Sequence, residues 1–196
     1  MRPDELERLQ SVAHLVPALV TPVYGSNSCI PTTRVLVAAL ENLGIKARPL
    51  SVRATVINGQ YIAAVEELGR PFRDKAEAMV WHRSKGVFSY GIGAKAAPGT
   101  WQGHLVAVVR QRVLVDLTIG QADHPEHDMV LSPMFCDVSG RFLNGHEQAT
   151  FGNNGCRVLY EALPGDRGYQ ATPNWHYADC VDMAREVEKR VRQGIS

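Results

Sequence analysis

The segment from residue 31 to residue 57 constrains the fold most, because its periodicity changes abruptly along the way. Residues 31–43 are largely apolar, which is typical of a helix buried on most sides. Gly44 follows where a glycine commonly ends a helix. From residue 47 to 57 apolar and polar side chains alternate, and this alternation predicts a strand. A buried helix that leads directly into such a strand indicates a helix packed on a sheet.

The remaining elements follow from the same two periodicities. We expect further helices over residues 3–19, 73–83 and 176–193, and further strands over 60–65, 103–110, 112–118 and 156–163. Pro22 and Gly25 should end the first helix, and Asn58-Gly59 should form a turn before the strand at 60–65. Residues 91–100 and 120–154 are expected to be loop-rich. The chain is therefore predicted to be α+β, with N-terminal helices on an antiparallel sheet, a closing C-terminal helix and a single domain over residues 1–196.

Composition excludes several classes of function. Of the 196 residues, 45% are hydrophobic and 21% are charged. The net charge of +1 argues against binding that depends on bulk electrostatic attraction to nucleic acid or to an anionic membrane. The first twenty residues lack the shape of a secretion signal, and no apolar run approaches a membrane span. The four cysteines are widely spaced and are expected to be free thiols in the cytoplasm. We expect no cofactor.

Cys29 is the first candidate for chemistry. Pro31 is well suited to the first turn of a helix, so Cys29 should lie at the helix N-terminus, where the partial positive charge favours a thiolate. The backbone N–H groups of that first turn also lack helical partners, and they can stabilise an oxyanion. Cys29 is therefore predicted to be a nucleophile.

A nucleophilic thiol needs a base, and His104 is the best placed histidine. It begins a strand that is otherwise apolar, and Asp116 interrupts the next strand, where a buried carboxylate is costly without a partner. A three-residue turn over residues 110–112 would set Val106 opposite Asp116 and place His104 and Asp116 on one face. A two-residue turn would send them to opposite faces.

Each of these residues also has an ordinary structural interpretation. A single buried cysteine is usually a small hydrophobe, a strand histidine is usually a satisfied edge residue, and a strand aspartate often faces water. Cys29 lies at a helix start, and His104 and Asp116 lie on adjacent strands. This joint placement favours a shared functional role over three separate structural roles.

The order Cys29, His104, Asp116, together with the helix-to-strand phrase "LENLGIKAR", resembles the transglutaminase-like branch of the papain-like cysteine enzymes. Arylamine N-acetyltransferases share this order. The resemblance covers residues 24–120 and implies an α+β papain-like core with acyl-transfer chemistry. It implies attack by Cys29 on an amide or thioester carbonyl, with His104 as base and then acid and Asp116 as its orienting partner. The segment "PGTWQG" before His104, and Leu105 after it in place of the usual aromatic residue, depart from the family pattern.

Four residues are secondary candidates. Trp101 and Gln102 precede the histidine and could line a cleft, and the Trp101 indole could serve an oxyanion or simply pack on the core. Asn27 could donate to an oxyanion, although a capping or turn role is the commoner one. Gln121 follows the aspartate strand and could face the site.

The segment "DHPEHD" over residues 123–128 raises the alternative of a metal site. His124, His127 and Asp128 have the chemistry of ligands, but Pro125 disfavours the helix that their spacing would need. A polar surface loop without metal is the favoured interpretation. The three other cysteines are expected to be structural.

Two classes of function follow. The first is a cysteine-dependent acyl-transfer enzyme, either hydrolase or transferase, whose partner is a protein, a peptide or a small acyl substrate. The second is a non-catalytic protein- or peptide-binding module on the same fold, which would show a Cys29 sulfur far from the His104 ring or a cleft filled by residues 91–102. The oligomeric state stays open.

Overall fold

An antiparallel sheet with helices packed on it makes up the described part of the chain, residues 1–25, 28–93 and 101–195 of a computed structural model. This mixture confirms the α+β class. The helices are α1 (Pro3–Tyr24), α2 (Cys29–Asn42), α3 (Gly59–Leu68), α4 (Lys75–Lys85), α5 (Gly140–Leu143) and α6 (Asp179–Arg192). The strands are β1 (Ala47–Ile57), β2 (Ser89–Ile92), β3 (His104–Val109), β4 (Val113–Asp116), β5 (Met134–Asp137), β6 (Gln148–Asn153) and β7 (Cys156–Ala162).

Strand β1 organises the sheet, whose order is β5-β4-β3-β1-β7-β6 with β2 also paired to β1. The first half of β1 pairs with β3, and its second half pairs with β2 along the same edge. Strand β7 pairs along its other edge. Because β1 is eleven residues long, it can serve all three neighbours, and it places Val52 opposite His104.

Apolar layers cover both faces of the sheet. On one face α1, α2 and α6 pack against Ala107, Val109 and Val115. On the other face residues between 119 and 143 pack against Val106 and Val108. Every residue of β3 is consequently buried. A polar side chain on this strand must therefore find its partners inside the protein.

Helix α2 begins at Cys29, two residues before the expected start, and Pro31 lies in its first turn. At its other end Gly44 has a φ of 77°, and the backbone N–H of Ile45 donates to the carbonyl of Leu40 at 2.9 Å. This left-handed residue ends the helix as expected. The Thr33 hydroxyl donates to the Leu105 carbonyl at 2.9 Å, which fixes the start of α2 against β3.

Three expectations about the elements are wrong. Asn58-Gly59 is not a hairpin turn: the Asn58 side chain accepts from the backbone N–H of Tyr61 at 2.9 Å, and it caps α3 where a strand at 60–65 was expected. Residues 120–154 contain two strands and a short helix. Helix α1 continues through Pro17 and Pro22 to Tyr24, because packing of its apolar face outweighs the lost N–H donors.

Although α1 has 22 residues, neither it nor any other helix in the described ranges is long and apolar enough to cross a membrane.

Candidate active site

The register of the β3–β4 hairpin decides whether His104 and Asp116 can meet. Ala107 pairs with Val115, and Val109 pairs with Val113, so residues 110–112 form a three-residue turn. Extending this register by one step places Val106 opposite Asp116. The first of the two alternative registers is therefore the one present, and His104 and Asp116 share a face of the sheet.

The two side chains form a buried hydrogen-bonded pair. His104 Nε2 lies 2.7 Å from Asp116 Oδ2, and both side chains are fully buried. The carboxylate also accepts hydrogen bonds from the Tyr160 hydroxyl at 2.8 Å and from the Thr118 backbone N–H at 3.0 Å. An ionised carboxylate can only accept hydrogen bonds, so the His104 nitrogen that faces it, Nε2, must carry a proton. The other ring nitrogen, Nδ1, faces away from Asp116.

This environment shifts the pKa of both groups in opposite directions. Burial would lower the pKa of His104, but the charge and hydrogen bond of Asp116 outweigh it and raise that pKa above its usual value. Burial likewise would raise the pKa of Asp116, but His104, Tyr160 and Thr118 lower it. The pair therefore favours a proton on His104 Nε2 beside an ionised Asp116 carboxylate.

Cys29 lies next to this pair. Its side chain is partly exposed, and its hydrogen bond and charge interaction with His104 are among the causes that raise the imidazole pKa. Because Nε2 is taken by Asp116, Nδ1 is the nitrogen available to the thiol. Cys29 is the first residue of α2, so the backbone N–H groups of Cys29 and Ile30 belong to the turn that lacks helical partners. The structure thus brings the three predicted catalytic residues together.

Gln121 also reaches the imidazole. Its Nε2 donates to His104 Nδ1 at 2.8 Å, from the turn Ile119–Ala122 that follows β4. Gln121 therefore shares with Cys29 the nitrogen that would take the thiol proton. Of the secondary candidates, it is the one in direct contact with the predicted triad.

The other secondary candidates have different positions. Trp101 lines a cleft beside Ile30, but its indole N–H donates to Asp166 Oδ2 at 2.8 Å, so the alternative of an indole oxyanion donor is wrong. Gln102 is exposed. Asn27 lies outside the described residues, as do residues 94–100 of the loop that was considered as a filling for the cleft.

Two further residues support the site and were not found from the sequence. Tyr160 lies on β7, where alternation with Val158 and Ala162 pointed only to a core position. Asp166 follows β7 in the turn "LPGDRG" and accepts from Ser51 Oγ at 2.7 Å as well as from Trp101. A carboxylate in a Pro-Gly turn is common at surfaces, so nothing in the local sequence distinguished it.

The histidines of the segment 123–128 have other partners. His124 Nδ1 lies 2.9 Å from Glu126 Oε1, and the His127 ring stacks on Phe88 with ring centroids 3.8 Å apart. The Asp128 carboxylate accepts from Gln60 at 2.9 Å. Across the described ranges, the structure contains no group of three or more metal-ligating side chains.

The remaining cysteines lie apart from this chemistry. Cys136, Cys156 and Cys180 are buried, and burial raises the pKa of each thiol, that of Cys136 to about 11. A raised thiol pKa disfavours the reactive thiolate. Cys29 is thus the cysteine with both access to solvent and a neighbouring base.

Taken together, a thiol at a helix N-terminus, an imidazole and a buried carboxylate can carry out nucleophilic attack on a carbonyl with proton transfer. No protein-family model matches the chain, and no curated protein or solved structure matches it either.

Proposed function

We propose that the protein is a cysteine-dependent acyl-transfer enzyme with a papain-like, transglutaminase-like core. The observation that carries the proposal is the fully buried His104–Asp116 hydrogen bond of 2.7 Å with Cys29 beside the same imidazole. Burying a histidine and a carboxylate is costly unless the arrangement is well paired, and such pairs concentrate at functional sites.

The proposed reaction proceeds in two steps. The Cys29 thiolate attacks an amide or thioester carbonyl, a C–S bond forms, and the carbonyl electron pair moves onto oxygen, near the backbone N–H groups that begin α2. The oxyanion collapses, and the leaving group departs with the proton that His104 holds. Water or an amine then attacks the acyl-enzyme, gives a proton to His104, and displaces the Cys29 sulfur. Asp116 keeps the imidazole oriented throughout.

The Gln121 contact supports a second candidate, a protein- or peptide-binding module without catalysis. With Gln121 Nε2 2.8 Å from His104 Nδ1, an amide occupies the position from which a thiol would lose its proton. In the enzyme Gln121 must turn away or share this nitrogen, whereas in a binding module it would stay in place. The two candidates differ in the reactivity of Cys29.

Cysteine labelling separates these functions. We expect a small haloacetamide at neutral pH to modify Cys29 well ahead of the three buried cysteines. We expect His104→Ala to slow the Cys29 reaction by about tenfold or more, because an ordinary cysteine with a pKa of about 8.5 is only a few per cent thiolate at pH 7. Peptide mass spectrometry of each labelled site measures both rates.

Exposed His14 on α1 supplies the matched control, since His14→Ala should leave the labelling rate unchanged. The unaltered protein gives a second measurement in case His104→Ala does not fold. If His104 assists, the Cys29 reaction persists below pH 7, whereas an unassisted thiol loses about tenfold in rate per pH unit. A tenfold fall in the Cys29 labelling rate per pH unit would contradict the enzyme function. So would a folded His104→Ala variant whose Cys29 is labelled as fast as in the unaltered protein.

A further inference from the structure

A cleft of about 370 Å³ opens beside the proposed nucleophile. Its lining consists of Ile30, Trp101 and residues between 168 and 174. Ile30 directly follows Cys29 and packs with Leu105, which directly follows His104, and with Tyr169. The cleft is therefore bordered by a small apolar cluster against which Cys29 also packs.

Trp101 forms a rigid wall of this cleft because two glycines make room for its ring. A Cβ atom at Gly168 would lie 2.5 Å from Trp101 Cδ1, and one at Gly103 would overlap the other end of the indole. The ring also meets Tyr169 edge to face, with centroids 5.7 Å apart. Only glycine at both positions lets the indole adopt this orientation.

Asp166 holds the wall in place. Its carboxylate accepts from Trp101 Nε1 at 2.8 Å, from Ser51 Oγ at 2.7 Å and from the Gly168 backbone N–H at 2.8 Å. The Asp166 carboxylate thereby finds its hydrogen-bond partners within the protein. Through them it links β1, the 168–174 segment and the indole. A ligand in the cleft meets the ring that Asp166 positions.

The chemistry of the cleft lining selects the ligand. Among the described residues, no lining side chain carries a charge, and Ile30, Trp101 and Pro173 present apolar surface. The volume is at the lower end of the range of about 300–1,000 Å³ for ligand pockets. An aromatic ring on a short chain matches both the size and the flat indole surface.

We propose that this cleft binds the acyl group of the substrate, and that it selects an uncharged acyl group bearing an aromatic ring. This specificity rests on the proposed acyl-transfer function, because it places the acyl group next to Cys29. Trp101 sets the specificity, and Asp166 acts as a positioning residue.

Three chloroacetamides that differ only in the nitrogen substituent test the specificity. Chloroacetamide itself, N-benzylchloroacetamide and the charged N-carboxymethylchloroacetamide each form an S–C bond with Cys29 and release chloride. Each rate is divided by the rate with glutathione, which removes intrinsic reactivity. We expect the benzyl reagent to be favoured at Cys29 by about tenfold or more over the other two. Equal normalised rates would overturn the proposal.

Variants show which residues cause the preference for the benzyl reagent. Trp101→Ala and Gly168→Ala should each reduce the benzyl preference, the first by removing the wall and the second by displacing it. Trp81→Phe is the matched control, because Trp81 lies on α4 against Phe72 and Lys85 and should leave the preference intact. A preference that survives Trp101→Ala would assign the selectivity to another surface.

The outcome separates the two proposals. A chloroacetamide rate that depends on His104, without any benzyl preference, leaves the acyl-transfer function and removes the specificity. If Cys29 proves inert, the unreactive N-benzylacetamide still tests the cleft: its binding should shift the indole N–H NMR signal of Trp101, assigned with Trp101→Phe. An unshifted signal at saturating ligand would overturn binding in the cleft.

Discussion

Tyr160 and Asp116 show how one hydrogen bond supports a buried charge. The phenol oxygen lies 2.8 Å from Asp116 Oδ2, and burial together with the adjacent carboxylate raises the pKa of Tyr160 above its usual value, so it remains a donor. Removing this donor leaves Asp116 with His104 and Thr118. The cost should be larger than for a hydrogen bond between neutral groups.

We predict that Tyr160→Phe lowers the free energy of unfolding by about 1.5–3 kcal/mol at pH 7, because it removes a hydrogen bond to a charged group. Tyr177→Phe is the matched control. Its hydroxyl donates to the neutral Asn174 Oδ1 at 2.8 Å, and its removal should cost about 1 kcal/mol. Urea unfolding measures both, and equal losses would show that the Asp116 charge adds nothing to the bond.

At the scale of single residues the sequence indicated the predicted triad, because each member interrupts a strong local pattern. Cys29 precedes a helix start, and His104 and Asp116 stand in apolar strands that are joined by a short turn. Tyr160 and Asp166 gave no such signal. They reach the site through pairing of β7 with β1, a long-range contact that no local spacing reveals.

At the scale of elements the β3–β4 turn carries backbone strain. Arg110 and Gln111 both have positive φ, 54° and 53°, although neither is glycine. This conformation matches the twist of a hairpin but costs a residue with a Cβ about 1–2 kcal/mol. The strain is offset elsewhere, since the Arg110 guanidinium donates to Glu5 on α1.

We predict that Gln111→Gly raises the free energy of unfolding by about 1 kcal/mol, because glycine adopts this conformation without a Cβ clash. Arg112→Gly is the control, since Arg112 is the one residue of the turn without a positive φ. It should destabilise by about 0.5–1 kcal/mol through the entropy of the unfolded chain, together with the small loss of the exposed ion pair between Arg112 and Asp137. Thermal unfolding measures both variants, and changes of the same sign would contradict the assignment of strain.

The elements predicted from the sequence differ in how much their signals depended on context. The alternation over β1 and the glycine after α2 specified both elements locally. Asn58-Gly59 did not, because the same dipeptide serves a hairpin turn and a helix N-cap. Packing of the following residues decides between them, and Ala64 turns inward as part of α3. Such choices depend on tertiary contacts.

At the scale of the whole molecule, Glu5 links the N-terminus to the hairpin that carries the predicted triad. Hydrogen bonds from Arg2 lower the pKa of Glu5 from its usual 4.5 to about 2; burial opposes this shift, and Arg110 adds to it. A carboxylate whose pKa is lowered in the folded state stabilises the fold at pH values above its pKa in the unfolded state. That contribution is lost as the pH falls through the pKa of the folded state.

We therefore predict that the unaltered protein is more stable than Glu5→Gln at pH 7 and that the difference shrinks between about pH 4.5 and about pH 2. Glu7→Gln, at an exposed position of the same helix, is the control and should follow the unaltered protein across this range. Urea unfolding at each pH measures the difference. A difference between Glu5→Gln and the unaltered protein that is constant with pH would show that the Glu5 charge does not stabilise the fold.

The three-residue turn also sets a rule for how the length of this chain can vary. Substitutions between Val109 and Val113 leave the pairing of β3 with β4 intact. A one-residue shift in the pairing of β4 with β3 would reverse the facing of Asp116 relative to His104. Homologous proteins that keep the site should therefore keep the pairing of Val109 with Val113 and take up any difference in length within the loop between them. A shifted pairing would accompany loss of the histidine, the aspartate or both.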